Sequence, residues 1–93
     1  MTTCVQLSDR LDYLAVGPLL SELKGVTDDD LILDASAVRH LGALPLQILL
    51  STIKTRAAAA KRTTLSEPSD SCVDALGLFG FSPQTLTQPE AWT

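Results

Sequence analysis

The spacing of hydrophobic residues switches back and forth along this chain between the two-residue period of strands and the longer period of helices. Thr3–Leu7 alternates and predicts a strand with Val5 and Leu7 facing the core. Ser8, Asp9 and Arg10 signal a turn. Val16, Leu19, Leu20 and Leu23 then fall on one face of a helix. Pro18 is tolerated only in a first turn, so that helix starts between Leu14 and Pro18, and Gly25 is placed to stop it. Leu31–Leu33 is an unbroken apolar run, the pattern of a strand covered on both faces. A long helix is expected from Ala43 or Leu44 to Ala60, with Pro45 in its first turn and a stripe of Leu46, Leu49, Leu50, Ile53, Ala57 and Ala60. Lys54, Arg56, Lys61 and Arg62 gather towards its C-terminal end, where they complement the helix dipole from a solvated face. Arg62–Ser66 predicts a further strand with Leu65 inward.

Ser69 is a credible N-cap for a helix that carries Asp70 in its first turn and Cys72, Val73 and Leu76 on its apolar face. Gly77 or Gly80 ends it, and Phe79 and Phe81 are expected to plug the end of the core. The tail, 82–93, reads either as a short strand near Thr85–Thr87 or as a frayed end. Trp92 is expected to tuck its ring in rather than offer it to a ligand. Strands alternating with helices give an α/β class: a small, mostly parallel sheet of about four strands packed by three to four helices. The whole chain, 1–93, fits one domain.

Composition narrows the functions. A net charge of −4 argues against non-specific nucleic-acid binding, which needs clustered cations. No apolar run is long enough to span a membrane, and the first residues show no basic-then-apolar signal segment. Cys4 and Cys72 are far apart and read as reduced thiols, which places the chain in the cytoplasm. Aromatic residues are only 4%, so Leu, Val, Ile and Ala must build the core.

Candidate chemistry collects after the Leu31–Leu33 strand. Asp34 stands at its carboxyl end, where ligands gather in open α/β sheets, although a carboxylate there also bonds loop N–H groups. Ser36 lies in the same loop. His40 is the one histidine, a possible base or phosphoacceptor, with no Ser or Cys in motif relation to it; a histidine on a loop surface is the plainer reading. Asp28, Asp29 and Asp30 lack Ca²⁺-loop spacing and read as a solvated loop. No glycine-rich phosphate loop or metal-ligand cluster occurs, so neither a cofactor nor a catalytic role is expected.

The same segment resembles the STAS domain, the family of anti-sigma factor antagonists. The match runs through Leu33-Asp34-Ala35-Ser36-Ala37-Val38, then Leu41, then Leu46 and Ile48-Leu49-Leu50. Leu11-Asp12, Leu65-Ser66-Glu67-Pro68-Ser69 and Ala75–Phe81 resemble the family's flanking pieces in order and spacing, so the resemblance covers a core over 3–81. The resemblance implies a non-catalytic module that binds a protein partner through the loop and the N-terminus of the following helix. Here that surface is Asp34, Ser36, Arg39, His40, Leu41, Gly42, Ala43, Leu44 and Gln47, with Leu44 as an apolar anchor beside Leu41 or Arg39. The implied partners are an anti-sigma kinase or a chemotaxis-type signalling protein; the alternative is constitutive assembly with the ATPase of a lipid-transport complex. Where the family carries Asp-Ser-Ser-Gly, this chain has Gly42-Ala43-Leu44-Pro45, and the phosphoacceptor position falls on Leu44. The family's first, antiparallel edge strand is also missing, which leaves a sheet edge open to pairing and to a homodimer.

Overall fold

The computed structural model describes residues 2–92, with Ala91 described for its backbone alone. The chain runs β1 (Thr2–Gln6), β2 (Arg10–Leu11), a 3₁₀ turn (Tyr13–Ala15), α1 (Val16–Lys24), β3 (Asp30–Asp34), β4 (His40–Leu41), α2 (Ala43–Ala58), β5 (Arg62–Ser66), α3 (Asp70–Leu78), α4 (Pro83–Leu86) and a last 3₁₀ turn (Pro89–Ala91). The expected α/β class with a parallel sheet holds. β1, β3 and β5 form a three-stranded sheet in the order β1-β3-β5, parallel throughout, with Val5 opposite Leu33 and Leu33 opposite Leu65. β2 and β4 pair separately as a two-stranded parallel ladder. That ladder replaces the single four-stranded sheet expected from the sequence.

The central strand is covered on one face rather than two. Leu31 and Leu33 are buried with Val5 and Thr63 on the helix side, whereas Cys4 and Thr64 are exposed on the other side and Ile32 between them is half-buried. Val5, Leu7, Leu19, Leu23, Leu49 and Ile53 join Leu31 and Leu33 in one core cluster. Burying such side chains removes apolar surface from water at about 25 cal/mol per Å², the main favourable contribution to folding.

Helix boundaries follow from local chemistry. α1 starts at Val16, which puts Pro18 in its first turn, where a missing N–H costs nothing. Gly25 caps it in a right-handed conformation (φ −77°), so its glycine freedom is not used. α2 stops at Ala58, two residues short of the expected end. Lys61 N donates to Arg56 O at 2.8 Å and Ala60 N to Ala57 O at 3.0 Å, the paired bonds of a Schellman close. Ala60 takes the left-handed position that closure needs, at φ 60°. Ala60→Gly is therefore expected to raise the unfolding free energy by about 1 kcal/mol, read as a higher urea midpoint at unchanged slope.

The stripe of α2 also differs from the expected one. Pro45, Leu46, Leu49, Ile53 and Arg56 are buried, whereas Ala57 and Ala60 are exposed. Arg56 is thus not on the solvated face expected for it. Its Nε donates to Thr63 Oγ1 at 2.9 Å, and its Nη2 to Arg62 O at 2.9 Å and Asp29 O at 3.2 Å. One guanidinium therefore ties α2 to β5 and to the loop before β3.

α3 is the element that the sequence marks most clearly. Ser69 caps it, accepting from Cys72 N at 3.1 Å, and the same hydroxyl donates to Val38 O. Because this side chain both caps a helix and holds the loop after β3, Ser69→Ala is expected to cost about 1–2 kcal/mol in a denaturant titration. Cys72 and Leu76 are buried, Val73 is partly exposed, and the C-cap is Phe79, with Gly80 beyond it at φ 86°. Phe79 is 41% exposed and does not plug the core; Phe81 does pack against it. Over residues 82–92 the tail forms neither a strand nor a frayed end. Ser82 and Thr85 make a reciprocal capping box around Pro83, and Leu86 is buried. Trp92 lies edge-on to Phe81 at 5.9 Å and donates Nε1–H to Thr85 O at 2.8 Å, so the tucked ring is borne out.

Candidate docking corner

The carboxyl end of β3 leads into a loop fixed almost wholly by backbone bonds. Leu7 N donates to Asp34 O at 2.9 Å, Ala35 N to Ser66 O at 3.0 Å and Ser69 N to Ala35 O at 3.2 Å. Ala35 and Val38 are fully buried, so the loop is anchored from below. Asp34 Oδ1 accepts from Ser36 N at 3.0 Å, closing a turn at the strand end. That backbone bond, and then a bond from the Ser36 side chain, hold the Asp34 carboxyl below the usual carboxylate range. Asp34 is thus employed as a loop clasp.

Three of the next four residues attach to the first part of the chain. Arg39 N and His40 N both donate to Asp9 O, at 2.8 and 3.1 Å, and Gly42 N donates to Leu11 O at 2.8 Å. A Cβ on Gly42 would stand 3.4 Å from that same Leu11 O, an ordinary contact. Gly42 is the N-cap of α2 and gives its amides no side-chain bond; the first turn carries no acidic residue. Pro45, lacking an N–H, removes one unpaired donor there.

The 3₁₀ turn contacts α2, and Leu11, two residues before it, accepts from the Gly42 amide at the N-cap of that helix. Asp12 caps the turn, accepting from Leu14 N at 3.0 Å, and Arg10 Nε lies 3.4 Å from Asp12 Oδ2. The turn holds two large apolar side chains out in solvent: Tyr13 is 72% and Leu14 70% exposed. On the first turn of α2, Leu44 is 54% exposed. Exposed large apolar side chains also occur at the far end of the chain, at Val73, Leu78 and Phe79, so the 3₁₀ turn and the start of α2 are one of two places that hold them out in solvent.

Of the residues expected at this surface, Ser36, Arg39, His40, Ala43, Leu44 and Gln47 are exposed, and Asp34 and Gly42 are half-buried. Leu41 is corrected: it is 6% exposed and belongs to the core, because the β2–β4 ladder pairs it with Leu11 and turns it inward. His40 is in that ladder rather than in a free loop, and its ring makes no hydrogen bond among the described residues. Tyr13 and Leu14 were not expected here. Their one signal in the sequence is that neither belongs to the Val16-Leu19-Leu23 stripe.

The groove next to the loop, of about 410 Å³, is lined by Asp9, Ser36, Arg39, Ser69 and Asp70 among others, and by neither Asp34 nor His40. Among the described residues no group of three His, Cys, Asp or Glu side chains is arranged to hold a metal ion, and no helix is long and apolar enough to cross a membrane. Both cysteines are free, Cys4 exposed and Cys72 buried, and burial pushes the Cys72 thiol above its usual range. No family model, no curated protein and no solved structure matches this chain.

Proposed function

We propose that this chain is a non-catalytic, STAS-like protein-binding module of the cytoplasm that docks a signalling partner through the corner of Tyr13, Leu14, Arg39, His40, Leu44 and Gln47. The observation that carries this reading is the exposed apolar trio of Tyr13, Leu14 and Leu44 on a rigid base. Backbone bonds from Arg39, His40 and Gly42 to Asp9 and Leu11 fix that base. A preorganised apolar anchor with a polar rim is the physical form of an interface hot spot. The order of strands and helices and the Asp34–Ser36 turn support the family resemblance. The partner on this reading is an anti-sigma kinase or a chemotaxis-type signalling protein. Leucine at position 44 accepts no phosphate, so docking at this corner is not switched off by phosphorylation of that residue. A switch of that kind works by placing about −1.5 to −2 charges in the interface.

Affinity capture with mass-spectrometric identification tests the reading. The unmodified chain is expected to recover such a signalling protein. Leu44→Asp should lose it while unfolding within about 0.5 kcal/mol of the parent, because an exposed side chain contributes little to stability. Recovery of a lipid-transport ATPase subunit would transfer the same corner to constitutive assembly. Undiminished recovery with Leu44→Asp would sink the assignment of the corner.

A further inference from the structure

The main sheet has two outer edges, β1 and β5, and they are guarded unequally. β5 begins at the exposed Arg62, and α4 lies against it. β1 is Thr2-Thr3-Cys4-Val5-Gln6, with no charge and no proline, and it pairs with β3 in unbroken register, so it has no bulge either. Charges, prolines and bulges are what keep edge strands from pairing with other chains.

The ladder decides which groups β1 turns outward. Leu7 N donates to Asp34 O, so the alternate residues Thr3, Val5 and Leu7 direct their backbone groups at β3. The N–H and C=O groups of Thr2, Cys4 and Gln6 point the other way. Among the described residues, no backbone bond outside the ladder reaches them. The side chains of all three are exposed. A groove of about 110 Å³ between Gln6, Leu7 and the Pro18–Leu19 turn of α1 leaves that end of the edge reachable.

We infer that β1 is a homodimer interface: a second copy adds its own β1 antiparallel, about a two-fold axis at Cys4. The strand is complementary to itself in this arrangement. Cys4 stands opposite Cys4 of the other copy and Thr2 opposite Gln6, each pair exchanging both of its outward backbone bonds. Between them Thr3 meets Val5 on the helix side of the sheet. On a chain of net charge −4, this uncharged edge lets two copies meet without like charges facing each other. The pairing is isologous and closes at two copies. A five-residue edge buries less than the roughly 1,200 Å² of a standard interface, so the dimer is a weak one.

Sedimentation equilibrium and thiol cross-linking test the interface. The parent chain is expected to pass from monomer to dimer between about 10 μM and about 1 mM. Cys4→Lys sets two like charges opposite each other at an exposed position. It should leave the urea midpoint unchanged and weaken dimerisation about ten-fold or more. A short bis-maleimide should join Cys4 to Cys4, since opposed residues of this kind have Cα atoms about 5.5 Å apart, while Cys72 is buried. In a Cys4→Ser background, Thr64→Cys should not cross-link, because β5 lies two strands from the axis at about 4.8 Å per strand. A chain still monomeric at about 1 mM overturns the inference and leaves the edge to an extended segment of another protein. Unchanged dimerisation of Cys4→Lys, or cross-linking through Thr64→Cys, also overturns it, because the copies then meet on the open face or at β5. No residue of β1 belongs to the docking corner, so neither result bears on that reading.

Discussion

Replacing Leu33 by alanine is expected to lower the unfolding free energy by about 2–5 kcal/mol. Leu33 is the centre of the central strand, with 0% exposure and with Val5 and Leu65 on either side. Truncation removes buried methyl groups and leaves a cavity in the core cluster that Leu33 shares with Val5, Leu31 and Leu49. A chain of this size has only about 5–14 kcal/mol in total, so the variant should lose a large part of its stability. A urea titration should show a much lower midpoint at an unchanged slope. Ile32→Ala, on the open face of the same strand, should cost far less. Equal costs at the two positions would mean that the open face is covered.

The second large effect is expected at Arg56. Arg56→Ala should cost about 2–4 kcal/mol, because it strands Thr63 Oγ1 and the carbonyls of Asp29 and Arg62 without their donor. Arg56→Lys should recover little of this. A single ammonium cannot reproduce the fork that reaches the β5 side chain and two separate carbonyls. The check is again unfolding in urea, with hydrogen exchange at the β5 amides as a local readout. Faster exchange at β5 in both variants is expected, since that strand loses its tie to α2.

These two residues also mark how far the sequence carries. Leu33 was legible, because an apolar run between loops identifies a central strand. Its covering was not, since Leu31-Ile32-Leu33 conceals an alternation: Ile32 is apolar yet faces the open side. Apolar residues do occur at partly exposed positions, so a run of three does not prove two covered faces. Arg56 was misread because a charge at helix spacing counts as polar, although its position continues the Leu46-Leu49-Ile53 stripe. A long stem can bury its head where carbonyls receive it. The end of α2 was overrun because Ala57–Ala60 is strong helix former, and nothing local announces that Ala60 will take a left-handed turn.

At the corner, the strand–loop–helix arrangement and the exposure of Leu44 were legible from Pro45 and the stripe of α2. The burial of Leu41 was not, because the ladder that turns it inward pairs only Arg10–Leu11 with His40–Leu41 and has no periodic signature. The tail held a usable signal. Ser82-Pro83 followed by Thr85 is an N-terminus pattern, with threonine in the place where the usual box has glutamate or glutamine.

The central claim is that the Tyr13–Leu14–Leu44 corner, and not apolar exposure in general, carries partner binding. Leu78 on α3 is 88% exposed and supplies the control, since it is more exposed than Leu44 but is not part of the corner. The decisive measurement is the dissociation constant of the captured partner for the parent chain, Leu44→Asp and Leu78→Asp. Leu44→Asp is predicted to weaken binding by about thirty-fold or more, the scale of a lost hot spot, with Leu78→Asp unchanged. Equal losses, or a loss confined to Leu78→Asp, would contradict the account.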